Sequence, residues 1–156
     1  MVEHPFTGSG VAAVDASGRL RLPSSVQATM NRRGAGGTLL IGTHDSDPCL
    51  VAYEPAYATI IHLDIERRRI AEQAAAPHLH PARARRAFGF VEAADVESGA
   101  VTLPPLMRRR ARIGGNALIL GTGGTFEIWD AAIALEKGDA DLRELAAFHL
   151  DTKLAA

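Results

Sequence analysis

Val14-Asp15-Ala16-Ser17-Gly18-Arg19-Leu20-Arg21-Leu22-Pro23 reads as a tight turn, a short strand and a stop, and a second version stands at Ser98-Gly99-Ala100-Val101-Thr102-Leu103-Pro104. Asp15 suits the turn because its carboxylate accepts backbone N–H bonds two residues on, and Gly18 supplies the positive φ of a hairpin. Arg19-Leu20-Arg21-Leu22 alternates strictly, which puts both arginines on one face of a strand and both leucines on the other. The second version keeps Gly99 and Pro104 but carries Ala100 and Thr102 in place of the two arginines.

Outward from this pair the repetition continues. Thr38-Leu39-Leu40-Ile41-Gly42-Thr43 is echoed by Ala117-Leu118-Ile119-Leu120-Gly121-Thr122, and Leu50-Val51-Ala52-Tyr53-Glu54 by Phe126-Glu127-Ile128-Trp129-Asp130. The offset shrinks from 81 to 79 to 76 residues while the order is kept, as when loops alone change length. Such self-similarity constrains the fold to two like halves. Each half reads as strand, turn, strand, proline, short helix, strand, turn, strand. In the first, Val11–Val14 is the opening strand. Ser24 or Ser25 is placed to cap a helix carrying Val26 and Met30 inward, and Gly34, Gly36 and Gly37 end it. Strands 38–43 and 49–54 flank the polar turn His44-Asp45-Ser46-Asp47-Pro48. In the second half Met107 and Ala111 are the inward helix positions.

Between the halves, residues 56–75 predict a helix with Ile60, Ile61, Leu63, Ile65 and Ile70, broken at Ala76-Pro77 and around Pro81. A shorter helix spans Ala82 to about Ala87. The tail from Asp141 to Leu154 predicts a loosely amphipathic helix carrying Leu142, Leu145 and Phe148, free to dock or to fray. The organisation is therefore repeat 1 (9–56), a helical connector (57–86), repeat 2 (87–131) and a helical tail (132–156). A unit of roughly 45 residues buries one face only and is marginal alone. Pairing the two copies solves this, so the expected fold is mainly β with short helices (α+β), a small barrel of interleaved strands with helices outside.

The 156 residues are 47% apolar and 22% charged, ordinary for one folded domain. A lone Cys49 excludes an intramolecular disulfide and suits a reducing compartment. Met1-Val2-Glu3-His4-Pro5 does not begin a secretory signal, and no apolar run approaches the roughly 20 residues of a membrane span, so a cytoplasmic protein is expected. The net charge is −1, yet the positive charge comes from 15 Arg against 2 Lys, in runs: Arg32-Arg33, Arg67-Arg68-Arg69, Arg83 with Arg85-Arg86, and Arg108-Arg109-Arg110 with Arg112. Each run reads either as a solvated face or as a local positive potential that binds an anion.

Other chemistries are set aside. His44-Asp45-Ser46-Asp47-Pro48-Cys49 and His78-Leu79-His80 contain metal-ligand types without the paired spacing of a structural site. Gly121-Thr122-Gly123-Gly124 lies between two strands, with no following Lys or helix N-terminus to cradle phosphate. No spacing proposes a catalytic group. The sequence is read as binding no metal and no cofactor, and as no enzyme.

Phe6-Thr7-Gly8, Asp15 to Pro23, Cys49-Leu50 before Tyr53, and Leu118-Ile119-Leu120-Gly121 leading into Phe126-Glu127-Ile128-Trp129-Asp130 together resemble the MraZ family, bacterial transcriptional regulators with two tandem SpoVT-AbrB domains. The resemblance covers most of residues 6–131. It implies a double swapped-hairpin barrel that assembles into closed rings. It also implies binding to short tandem repeats in the promoter of its own operon, the division and cell-wall genes, mainly as a repressor. The family's Asp-x-x-Gly-Arg hairpin maps onto Asp15, Gly18 and Arg19. In the second half Gly99 matches, but Ala100 replaces the arginine, and Val96 stands at the acid's position with Asp95 one residue early.

Arg19 and Arg21, about 7 Å apart along a strand, are the expected DNA-binding pair, with Asp15 and Gly18 shaping the turn and Asp15 a candidate to hold the Arg19 guanidinium. Arg108 and Arg112, at i and i+4, are candidates for phosphate contacts or for ion pairs between subunits. The expected partners are double-stranded DNA and further copies of the chain, in the nucleoid. A different reading makes the protein an antitoxin-like interaction module, with residues 136–156 as a flexible arm for a protein partner.

Overall fold

The computed structural model describes residues 4–34, 36–75 and 80–155. In chain order these form β1 (Ser9–Ala13), β2 (Arg19–Arg21), α1 (Ser24–Arg32), β3 (Thr38–Thr43), β4 (Leu50–Tyr53) and a 3-10 turn at Pro55–Tyr57. The connector follows as α2 (Ala58–Ala75) and α3 (His80–Gly89). The second half is β5 (Val91–Glu97), β6 (Ala100–Thr102), α4 (Pro105–Ala111), β7 (Asn116–Gly121) and β8 (Phe126–Asp130), with α5 (Ala131–Lys137) and α6 (Ala140–Ala155) closing the chain. The fold is mainly β with short helices.

All eight strands lie in one antiparallel sheet, in the order β1-β7-β8-β4-β3-β5-β6-β2. The halves are interleaved, because β1 pairs with β7 and β5 pairs with β3. The two ends of the sheet are joined through the first turn, where the Asp15 N–H donates to the Arg19 carbonyl at 3.0 Å. The result is a nearly closed barrel in which neither half has a complete core of its own. At its crossing point β2 runs beside β6, pairing Arg19 with Thr102, Leu20 with Val101 and Arg21 with Ala100.

Alternation along the strands makes two cores. Leu39 and Ile41 of β3 point into the barrel, as do Ala117 and Ile119 of β7, together with Leu20, Leu22, Val101, Phe126 and Ile128. The equivalent positions are thus 78 residues apart, one fewer than the sequence echo, since a one-residue slip would turn every side chain to the opposite face. Leu118 and Trp129 point outward and are covered by Ala134, Leu142 and Ala146 of α5 and α6. Val26, Met30, Met107 and Ala111 plug the barrel from α1 and α4 as their spacing predicts.

Two local expectations change. Ser24 and Ser25 do not cap α1, because Pro23 takes the N-cap position and its carbonyl accepts the N–H groups of Val26 and Gln27. α3 begins at His80 rather than Ala82, with Pro81 in its first turn, where its missing N–H goes unneeded. The break at Ala76-Pro77 lies outside the described residues, as do His78 and Leu79. The tail is docked: Leu142 and Ala146 are buried, His149 bonds Ser9 and Lys153 bonds Asn116. By contrast α2, which follows β4 as α5 follows β8, buries no side chain fully and leaves Ile60, Leu63 and Ile70 exposed. Among the described residues no helix is long and apolar enough to cross a membrane.

Candidate nucleic-acid interface

The first hairpin turn is tied by one carboxylate. Asp15 Oδ1 accepts the Ser17 N–H at 2.9 Å, the Ser17 hydroxyl at 2.6 Å and the Arg19 N–H at 3.0 Å. The Ser17 hydroxyl bond, then the Arg19 backbone bond, hold the Asp15 carboxyl below its ordinary value. Gly18 takes φ +90° and faces Leu103 and Arg108, so the turn is also seated on the second half. Asp15 therefore fixes the Arg19 backbone, while the Arg19 guanidinium turns away toward the other hairpin.

Both arginines are exposed, and Leu20 between them is buried. Arg19 Nη2 donates to the Glu97 carbonyl at 3.4 Å and Arg21 Nη1 to the Ser98 carbonyl at 3.0 Å. Each guanidinium carries five N–H donors, so one anchors it to the platform and the rest point to solvent. The platform is the second hairpin, whose two-residue turn Ser98-Gly99 has φ +53° and +77°. With Glu97 paired to Ala100 directly across that turn, there is no wider loop for an aspartate to brace. This explains Val96, which packs against the barrel core. Beside Arg19 runs a shallow groove with Glu92, Asp95 and Glu97 on its border, an acidic edge that limits how far a polyanion extends in that direction.

No family model matches the chain. Relatives named Transcriptional regulator MraZ match it along most of its length. The one from Bordetella pertussis is 30% identical over 141 residues, spanning 89% of this chain and 92% of the relative. Those from Alcanivorax borkumensis and Cupriavidus taiwanensis are 31% and 32% identical over 127 and 131 residues, spanning 80% and 81% of this chain. The chain belongs to the MraZ family.

In this MraZ-family chain the remaining basic runs divide by what they touch. Arg108 donates from Nε to the Ile113 carbonyl at 3.0 Å, from Nη1 to Ala16 at 3.2 Å and from Nη2 to Gly114 at 3.4 Å. Each nitrogen is committed to a carbonyl, so Arg108 braces the first turn against α4 and acts by positioning it. Arg33 is a second structural arginine. It donates to both carboxylate oxygens of Glu54, to Gly123 and Gly124 across the halves and to His4, with Phe6 beneath its guanidinium. Arg68 pairs with Asp45 and Asp64, and Arg69 with Glu66. Arg112, the helix exit of α4, is exposed. His44, weighed from sequence as a metal ligand, braces its own turn, its Nδ1 accepting the N–H groups of Ser46 and Asp47. Cys49 is buried, which pushes its thiol up and out of the reactive range.

Proposed function

We propose that this protein is a DNA-binding transcription regulator, not an enzyme. In this reading its Arg19 and Arg21 enter the major groove of promoter direct repeats upstream of its own division and cell-wall operon, where it acts as a repressor in the nucleoid. The observation that carries the reading is the pair of exposed guanidinia held on the Glu97 and Ser98 carbonyls, with most of their donors unspent. A planar guanidinium matches guanine O6 and N7 in bidentate fashion, worth about 1–3 kcal/mol of discrimination per contact. Asp15, the acid nearest in sequence to the pair, spends its Oδ1 on the turn. The relatives' name, transcriptional regulator, supports the same reading.

One arginine pair per chain is a weak reader. Copies arranged in a ring engage successive repeats at high effective concentration and multiply the affinity. The exposed apolar side chains of α2, Ile60, Leu63 and Ile70, and of α6, Phe148 and Leu154, support contact with further copies, because two unlike patches make a head-to-tail interface of the kind that closes rings. The burial of Leu142 and Ala146 against the barrel favours this reading over an antitoxin-like arm. The test is a salt titration of binding to the upstream DNA, wild type against Arg19→Ala/Arg21→Ala. Selective binding that collapses in a folded, still oligomeric variant is expected. Binding equal to that of random DNA, or unchanged in the variant, removes the site.

A further inference from the structure

Four arginines from two separate helices converge on a second surface. Arg86 of α3 and Arg109, Arg110 and Arg112 at the end of α4 line an open groove against the β3–β4 turn, with His44 at its base. By contrast Arg33, Arg68 and Arg69 are matched by carboxylates and Arg108 by carbonyls. Among the described residues no carboxylate pairs with any of the four. The acids at its base face His44 instead, Glu127 at 3.7 Å and Asp47 at 4.0 Å. Arg110 stands over the Phe90 ring, its Cζ 4.3 Å from the ring centroid, which holds it in place by a cation–π contact.

Arg112 adds a second observation. It leaves α4 in the left-handed conformation at φ +53°, a place where glycine is the low-cost residue. At the exit of α1 the left-handed residue is a glycine, Gly34 at φ +68°, one past the C-cap Arg33. The second half keeps an arginine where the backbone disfavours any side chain, and residues held against backbone preference gather at functional sites. Through Arg108 the same helix is hydrogen-bonded to Ala16 of the first hairpin, which ties the groove to the hairpin.

We propose that the groove is a second phosphate-binding surface that holds the sugar-phosphate backbone of the duplex whose bases the first hairpin reads; it rests on the DNA-binding reading above. An array of forked, unpaired guanidinia suits an extended polyanion, and it supplies the sequence-independent attraction that a chain of net charge −1 otherwise lacks. Phosphate contacts position a protein and base contacts specify its site, so the two surfaces divide those tasks.

The experiment uses the full-length protein, a duplex from its own upstream region and a scrambled duplex of equal length, with anisotropy measured over a salt series. The variant is Arg86→Ala/Arg109→Ala/Arg112→Gly. Its affinity for both duplexes is expected to fall by the same factor, at least tenfold, with the preference between them unchanged. The slope of log affinity against log salt should drop by about 2.7 per bound chain, at about 0.9 per lost contact. Arg112→Gly alone serves as the fold control and is expected to keep or raise the melting temperature while weakening both duplexes. Unchanged affinity and slope overturn the proposal. So does loss of the oligomer, which makes the groove a contact between copies, and so does a loss confined to the upstream duplex, which makes it a base reader. If the wild type fails to prefer its upstream DNA, the regulator reading fails, and the scrambled duplex still tests this groove.

Discussion

Replacing Arg33 by methionine tests what holds the two halves together. The side chains of Arg33 and Glu54 are only 12% and 7% exposed, and the pair sits between Phe6, Tyr57 and the Gly123-Gly124 backbone of the other half. Methionine keeps the stem packed on the rings but leaves the Glu54 carboxylate without its counter-ion and three backbone carbonyls without this donor. Removing one member of a buried pair costs about 3–5 kcal/mol, chiefly through the charge left behind. For a chain of this size each kcal/mol moves the melting temperature by about 2–4 °C, so a drop of roughly 6–20 °C is expected. A thermal melt measures the shift, and urea unfolding at fixed protein concentration, followed by Trp129 fluorescence, the free-energy loss. Arg33→Met/Glu54→Leu removes both charges and should recover much of the loss, since apolar replacement of a buried pair is often neutral. A single variant that costs under about 1 kcal/mol, or a double variant no more stable than the single, refutes the reasoning.

Gly121 packs against the Phe6 backbone, and an added Cβ would stand 2.3 Å from its carbonyl, so Gly121→Ala should cost about 1–3 kcal/mol or more in a thermal melt; an unchanged melting temperature contradicts that contact. The Asp15 carboxyl is held low by the Ser17 hydroxyl and the Arg19 N–H. Its contribution to the turn is therefore present above the ordinary value of about 3.9 and lost as pH falls through the lower folded value. The Ser17 and Arg19 amide shifts should titrate with a midpoint under that value, and a midpoint at or above it refutes the Asp15 brace. Cys49, buried and with its thiol pushed up, should resist a disulfide reagent at pH 8 in the native state and react once unfolded; rapid stoichiometric native labelling counts against its burial.

Local chemistry made most of the barrel legible. Strict alternation around Leu20, the glycines of the turns and the prolines after β2 and β6 mark each unit, and the repeat supplies their pairing. What sequence spacing missed depends on long-range partners. Arg33 and Arg112 both sit at helix exits and look alike in sequence, yet one is buried on Glu54 and the other stands free, because Glu54 is matched in the second half by Asp130, which caps α5 and accepts the Gly114 N–H instead. Arg108 reads as a surface charge until the first turn is folded over it. The groove at Arg86 was invisible for the same reason, since it needs α3 and α4 brought together. In the tail, the alternation of β7 and β8 already held the answer: outward Leu118 and Trp129 required a cover, and α6 was the segment left to supply it.

The unequal hairpins follow from the register between them. Direct cross-strand neighbours lie about 4.5–5.5 Å apart at Cβ, and like charges there repel. Arg19 faces Thr102 and Arg21 faces Ala100, so arginines kept in both copies would place four guanidinia opposite one another. A homodimer of single hairpins has no choice, because both copies are the same sequence. Two copies in one chain are free to diverge. On the reading proposed above the first copy is the reader, while the second, with Ala100 and Thr102, offers the Glu97 and Ser98 carbonyls as the surface that aims it. The loss of charge in the second copy is therefore part of how the first is presented, and restoring it by Ala100→Arg should weaken DNA binding by displacing Arg21, despite the added positive charge.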